Sequence, residues 1–141
     1  MFSLKGISQN DVLSDALSSV SLGVDFTADN QLSLQMEAVA KMMKTKDSRG
    51  AERDVFYVEK DGFDTHFDQI NKFGRLLPSV NAGIDEFKRA MVEEGLWDCV
   101  TIVMVSEFGR TLSENTGGGS DHGMLFCLVH VRFLIFVIGV M

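Results

Sequence analysis

The feature that most constrains the fold is an amphipathic pattern in the middle of the chain. Apolar residues recur there at alternating spacings of three and four positions, which draws one apolar stripe along a helix. The stripe consists of Ile70, Phe73, Leu77, Val80, Ile84, Phe87 and Met91. Apolar runs at 54–58 and 100–105 flank it, and both have the length and composition of a β-strand.

The order strand, long helix, strand predicts a βαβ crossover. Such a crossover places its two strands parallel in one sheet, so we expect an α/β fold with a parallel sheet. The run at 100–105 is continuously apolar, which predicts a strand buried on both faces. A second helix is predicted over 29–46, where Leu32, Met36, Val39 and Met43 form a stripe typical of core packing. Residues 1–28 are poorly patterned.

Composition and charge narrow the class of protein. The chain has 141 residues, of which 45% are hydrophobic and 23% charged, as expected for one globular domain. With 13 basic and 20 acidic residues its net charge is −7, and no basic cluster offsets it, so a nucleic-acid partner is not expected.

Ionisable side chains follow both predicted strands. Asp64 and His66 come after the first strand, and Glu107 and Arg110 come directly after the second. Because parallel strands share a carboxyl edge, we expect these groups to meet at one edge of the sheet. A further pair, Asp121-His122, follows a loop with three consecutive glycines.

These residue types suit a divalent metal ion. Carboxylate oxygen and imidazole nitrogen are ligands for zinc, manganese or iron, and less so for calcium. Asp64 and His66 are two positions apart, so both point to one face of an extended segment, whereas Asp121 and His122 point apart unless the loop bends. A bound ion would polarise an ester oxygen and activate water. Arg110 could hold a phosphate or sulfate group, so the expected partner is a small anionic substrate.

Each motif also has a simpler interpretation. Asp-x-His occurs as a capped turn with a surface histidine, and Asp-His-Gly is an ordinary turn sequence. Glu107 and Arg110 could be a carboxylate at the start of a helix and a surface arginine.

The tail, residues 124–141, is almost wholly apolar. Its 18 residues are at the short edge of a membrane span, and Arg132 inside it would cost roughly 2.5–3.5 kcal/mol on insertion. Two other interpretations are a buried pair of strands and a segment translated from a non-native reading frame. A membrane partner is therefore expected only if the tail is a native anchor.

Three motifs in sequence order resemble a known family. They are GFDTH at 62–66, VSEFGRT at 105–111 and SDHG at 120–123, together with the amphipathic helix and the loop at Asn115. They look like the family catalogued as "domain of unknown function 1501", which is similar to the alkaline phosphatase and sulfatase superfamily. Over residues 29–123, the resemblance implies a partial alkaline-phosphatase-like fold, a three-layer α/β sandwich, and descent from metal-dependent hydrolases.

The resemblance also implies a set of metal ligands. Asp64, His66 and His122 match the places that hold one metal ion. The place of a second metal's Asp-His pair is taken by Glu107 and a phenylalanine, which keeps only the carboxylate. Alternatively, Asp121 and His122 form that pair themselves and Glu107 is an additional ligand.

Two departures from the family pattern predict that the chain is a fragment or an imperfect gene model. The family's first strand, with its nucleophile segment, has no match, and the apolar tail replaces the glycine-rich sequence expected after Gly123. Three functions stay open. They are part of a metal-dependent phosphate or sulfate ester hydrolase, inactive if the nucleophile is missing; a non-catalytic module that binds a metal or an anion; and a small protein anchored by residues 124–141.

Overall fold

The computed structural model describes residues 17–27, 31–106, 109–123 and 132–140. Two long helices, α1 (Gln31–Lys44) and α3 (Gln69–Glu93), are separated by a short helix α2 (Lys46–Arg49) and strand β1 (Arg53–Asp61). A 3₁₀ turn (Trp97–Cys99) then leads into β2 (Val100–Val105). The remaining strands are β3 (Gly109–Arg110), β4 (His122–Gly123) and β5 (Arg132–Val140).

The core lies between the two long helices and one face of β1. Helix α1 contributes its predicted apolar stripe, and α3 contributes the second half of its own. Removing these side chains from water is the main favourable term in folding. The buried apolar side chains are Leu32, Met36, Val39, Ala40, Met43, Val58, Phe63, Val80, Phe87, Ala90 and Met91.

The first half of the α3 stripe is less buried, and only Phe73 in it packs against the core. Ile70 is 85% exposed and Leu77 is 46% exposed. Both helices were therefore predicted correctly from their periodicity, but the extent of the buried face was not. Periodicity identifies which face of a helix is apolar, and the neighbouring elements decide how much of that face they cover.

The parallel sheet predicted from the sequence is wrong. In the described part of the chain, the larger sheet has three strands in the order β1-β5-β2, and β5 is antiparallel to both of its neighbours. Arg53 pairs with Val140 at one end of the first ladder, and Val100 pairs with Gly139 in the second. Among the described residues, then, β1 and β2 run in the same direction without touching, because a strand from the apolar tail lies between them.

The expected three-layer sandwich is also wrong. Side chains on alternate positions of β1, such as Phe56 and Val58, pack towards the helices. On the opposite face, Val55 is 65% exposed and Tyr57 is 53% exposed, and Val103 of β2 is 38% exposed. In the part of the chain that is described, helices cover one face of the sheet, and β2 is not buried on both faces as predicted.

The tail and the termini are described only in part. Residues 132–140 form β5, whereas 1–16 and 124–131 lie outside the described residues. Among the helices that are described, none combines the length and the apolar character needed to cross a bilayer.

Candidate metal centre

The segment after β1 presents Asp64 and His66 on one side. Burial alternates along it: Phe63 and Thr65 are fully buried, whereas Asp64 and His66 are exposed. This is the pattern of an extended chain, in which residues two apart share a face. The expectation drawn from the Asp-x-His spacing is met, since His66 Nε2 lies 3.1 Å from Asp64 Oδ1.

The segment 109–123 folds back on itself and lies beside residues 64–69. Strands β3 and β4 form a short antiparallel ladder in which Arg110 is opposite His122. Residues 115–120, which we call the glycine loop, pair with the neighbouring segment: Asp68 N donates to Gly117 O at 3.1 Å and Gln69 N to Gly118 O at 3.0 Å. These backbone contacts bring Asp121 and His122 to the Asp64 side of the molecule.

Close approach of the two segments depends on Gly119. A Cβ at this position would lie 2.4 Å from the carbonyl carbon of His66 and 2.5 Å from Thr65 O. Atoms at such distances overlap, so only glycine fits here. The glycine-rich sequence therefore has a packing role beside the site.

Three side chains form a compact group of potential metal ligands. One ligand atom from each of Asp64, His66 and His122 lies within 4.8 Å of the others. His122 Nε2 is 3.2 Å from Asp64 Oδ1, and the two imidazole rings are 4.9 Å apart between centroids. The side chains are 44%, 45% and 48% exposed in that order, so the group opens to solvent.

Arg110 lies beneath this group. Its side chain is 5% exposed, and Nη2 donates to Asp64 Oδ1 at 2.5 Å. Nη1 donates to Thr65 O at 3.1 Å and also to Ser120 O. Burial lowers the pKa of the Arg110 guanidinium, while the nearby Asp64 carboxylate raises it, and the net direction is downward. Arginine still stays protonated at neutral pH, because its ordinary pKa is so high.

Asp121 faces the other nitrogen of His66. Its Oδ1 lies 3.2 Å from His66 Nδ1, on the opposite side of the ring from Asp64. The same oxygen accepts a hydrogen bond from Asn115 Nδ2 at 2.9 Å. The neighbouring residues Asp121 and His122 therefore have different partners: Asp121 contacts His66, and His122 contacts Asp64. This agrees with the expectation that adjacent side chains of an extended segment point to opposite sides.

Both aspartates are held in the ionised form. Partial burial raises the pKa of Asp64. The hydrogen bond with His122 and the electrostatic effect of His66 and Arg110 lower this pKa by more, so the net direction is downward. The pKa of Asp121 is lowered by hydrogen bonds from Asn115 and His66. Ionised carboxylates are the form in which these side chains bind cations.

Most of the residues predicted from the sequence come together. Asp64, His66, Arg110, Asp121 and His122 all lie in one connected set of contacts. The remaining predicted ligand, Glu107, lies outside the described residues.

Asn115 is a site residue whose role the sequence reasoning missed. Its Nδ2 also donates to His66 O at 2.9 Å, and its Oδ1 accepts from Gly117 N at 2.9 Å and Gly119 N at 3.1 Å. A signal was present in the sequence, because an asparagine two residues before a glycine is typical of a turn in which the side chain accepts from that amide.

The donor set fits a divalent cation of the zinc type. One carboxylate and two imidazoles match the ligand sets of catalytic zinc sites, which use three protein ligands and keep a further position open. Asp64 Oδ1 already lies within 3.1 and 3.2 Å of the two imidazole nitrogens, so little movement is needed to surround an ion. Asp64 supplies a negative charge to the group, and Arg110, which donates to the same oxygen, supplies a positive charge beneath it.

Comparison with known proteins identifies a family but no characterised relative. The family profile described as "Protein of unknown function (DUF1501)" matches residues 20–130. The chain has no significant match among curated proteins or among solved structures. The matched range contains every residue of the candidate centre.

Proposed function

The chain belongs to the DUF1501 family, and we propose that it carries the metal centre of a hydrolase acting on phosphate or sulfate esters. The observation that supports this proposal is the group formed by Asp64, His66 and His122, whose ligand atoms lie within 4.8 Å of one another. Two of the three come from the segment after β1 and the third from β4, 56 positions further along the chain than His66. The fold brings potential metal ligands from two distant segments together at an open surface. This favours a role in binding over a chance grouping of side chains.

The proposed roles follow from the positions of the side chains. Asp64, His66 and His122 hold the cation, which when bound polarises an ester oxygen and lowers the pKa of a water molecule. Their half-exposed side chains leave room on the solvent side for an anionic substrate. Arg110 keeps the Asp64 carboxylate in place from below and adds positive charge near the substrate position.

The expected direct contact between Arg110 and an anion stays a prediction. The Arg110 side chain is only 5% exposed, and its guanidinium is bonded to Asp64 and to two backbone oxygens, so little of it is accessible to an anion. This observation favours a second candidate function, a module that binds a metal ion without turnover.

The first experiment measures metal content. The full chain, dialysed against zinc, manganese or iron and then against metal-free buffer, should retain about one ion per chain, the number expected for one three-ligand site. Asp64→Ala, His66→Ala and His122→Ala should each lose it. Asp85→Ala, which removes an exposed carboxylate paired with Arg89 on α3, is the matched control and should retain it. Absence of a stoichiometric ion in the wild-type chain would refute the proposal.

The second experiment separates the enzyme from the binding module. The metal-loaded chain is incubated with an aryl phosphate and with an aryl sulfate. Release of phenol by the wild type and the Asp85→Ala control, but not by His122→Ala, supports the hydrolase. Retention of the ion without release of phenol by any variant supports the binding module.

A further inference from the structure

His66 lies between two carboxylates that compete for its ring protons. Nε2 is 3.1 Å from Asp64 Oδ1, and Nδ1 is 3.2 Å from Asp121 Oδ1. A neutral imidazole carries one proton, and the nitrogen that lacks the proton is the one that can bind a metal. The position of this proton therefore decides which nitrogen His66 can offer to a cation held with Asp64 and His122.

Asp121 is the stronger competitor for that proton. Asp64 Oδ1 already accepts a hydrogen bond from the charged Arg110 guanidinium at 2.5 Å and lies 3.2 Å from His122 Nε2. Among the described residues, the hydrogen-bond contacts of Asp121 Oδ1 are with His66 and with the neutral amide of Asn115. A carboxylate whose charge is shared with fewer strong donors accepts more strongly from the remaining one.

Asn115 fixes the carboxylate in this position. Its two N–H groups donate to His66 O and Asp121 Oδ1, and its oxygen accepts from the amides of Gly117 and Gly119. All four hydrogen-bonding positions of the amide are thus used, and a flipped amide would bring donors against donors. Thr111 additionally anchors the backbone of Asp121: Thr111 N donates to Asp121 O at 2.9 Å, and Asp121 N donates to the Thr111 hydroxyl oxygen at 3.2 Å.

We infer that Asp121 is a positioning residue, which keeps the His66 proton on Nδ1 and thereby presents Nε2 to the metal site. This inference rests on the proposed function for its purpose, but the hydrogen bond itself can be tested without metal. It gives Asp121 a role through His66 instead of the direct ligand role expected from the sequence. Histidine ligands commonly donate their second N–H to a carboxylate in this way.

The first test locates the proton in the metal-free chain. Long-range ¹H–¹⁵N spectra are recorded at about pH 9, well above the usual pKa of an imidazole. His66 is assigned by the loss of its signals in His66→Ala. We expect the Nδ1–H form in the wild type and in the control Asp85→Asn, and a shift towards the Nε2–H form in Asp121→Ala. The Nε2–H form in the wild type, or an unchanged form in Asp121→Ala, would overturn the inference.

The second test measures affinity and coordination. Zinc affinity should fall about 10- to 100-fold in Asp121→Ala, the range typical of a lost second carboxylate partner. The zinc affinity should fall less in Asp121→Asn, because this variant keeps an oxygen that can accept from His66 Nδ1. The side chain of Asp121 is 61% exposed, so these variants are expected to fold, which circular dichroism checks.

Cobalt separates positioning from direct ligation. The visible bands of the Co²⁺-loaded chain should keep their positions in Asp121→Ala, because the ligand set is unchanged. A shift of these cobalt bands in Asp121→Ala would mean that Asp121 binds the ion directly and would overturn the inference. If the wild type binds no metal at all, the proposed function fails, and the proton location in the metal-free chain still decides the role of Asp121.

Discussion

Arg110 binds Asp64 across 46 positions of sequence, with Nη2 2.5 Å from Oδ1. The two side chains differ in exposure: that of Arg110 is 5% exposed and that of Asp64 is 44% exposed. The arginine therefore holds the carboxylate from inside, while the carboxylate faces solvent. The same guanidinium reaches Thr65 O and Ser120 O, and so links the two segments that form the candidate centre.

Replacing Arg110 should destabilise the fold. Arg110→Ala removes the buried hydrogen bonds to Thr65 O and Ser120 O together with the ion pair to Asp64, which we expect to lower the free energy of unfolding by about 1–3 kcal/mol. Arg110→Lys keeps the charge but not the planar fork that reaches three acceptors, so it should recover only part of the loss. Urea denaturation followed by circular dichroism measures both.

The control for this prediction is Arg89→Ala. Arg89 also pairs with an aspartate, Asp85, but the two side chains are 54% and 59% exposed. An exposed pair of this kind contributes about 0.3–0.5 kcal/mol. Equal destabilisation by the two alanine variants would contradict the structural role of Arg110.

Asn115 should stabilise the glycine loop. Asn115→Ala removes the acceptor of the Gly117 and Gly119 amides, so these amides should exchange with solvent about tenfold faster, which corresponds to about 1.4 kcal/mol, close to one net hydrogen bond. Hydrogen-exchange NMR measures the rates. Asn71→Ala, which removes an exposed bond to Asp68, is the control and should leave the loop unchanged. Unchanged exchange in Asn115→Ala would refute the role given to this side chain.

Two glycines should respond in opposite directions to the same substitution. Gly119→Ala places a methyl group against the backbone of Thr65 and His66, and we expect a loss of about 1–3 kcal/mol. Gly74 lies inside α3, and a Cβ there meets no atom within 4 Å. Gly74→Ala should therefore gain about 0.5–1 kcal/mol from helix propensity. Thermal unfolding of the two variants checks the signs, and a neutral Gly119→Ala would mean that the two segments are not closely packed.

Glu86 should make stability depend on acid pH. Glu86 is only 6% exposed, and its Oε1 accepts hydrogen bonds from Thr27 N at 3.1 Å and from Thr27 Oγ1 at 2.5 Å. Burial raises the pKa of Glu86, but the hydrogen bonds to the carboxylate lower it by more, so the pKa is below its ordinary value of 4.5. A lowered pKa in the folded state stabilises the fold fully above the ordinary pKa. This contribution is lost as the pH falls through the folded value.

Urea midpoints measured between about pH 7 and pH 3 test this dependence. The wild type should lose stability as the pH falls below about 4.5, and Glu86→Gln should lose less over the same range. Glu37→Gln is the control, because it changes an exposed ion pair with Lys41 on α1. Parallel curves for the wild type and Glu86→Gln would contradict the prediction.

The sequence predicted the parts of the fold that depend on local pattern. The apolar stripes over 29–46 and 70–91 gave helices α1 and α3, and the runs at 54–58 and 100–105 gave strands β1 and β2. It failed on how the strands associate, because strand order depends on a segment far along the chain. β5 pairs with both strands and replaces the expected parallel contact with two antiparallel ones.

For the candidate centre too, the spacing of residues predicted the local relations but not the contacts between distant segments. The spacing of Asp64 and His66 was enough to predict that they share a face, because residues two apart do so in any extended segment. The family resemblance implied that His122 would join them. No spacing or resemblance predicted that Arg110 would be buried under Asp64, or that Asp121 would face the far nitrogen of His66. These relations join residues 46 to 58 positions apart.

The sequence by itself thus determined which residues are chemically able to bind a cation and which helices and strands carry or flank them. The tertiary structure decided which of those residues meet and what each one faces. The physical reason is that side-chain chemistry and helical or extended periodicity are local properties. Contact between distant segments depends instead on backbone pairing and on close packing, here at Gly119 against His66.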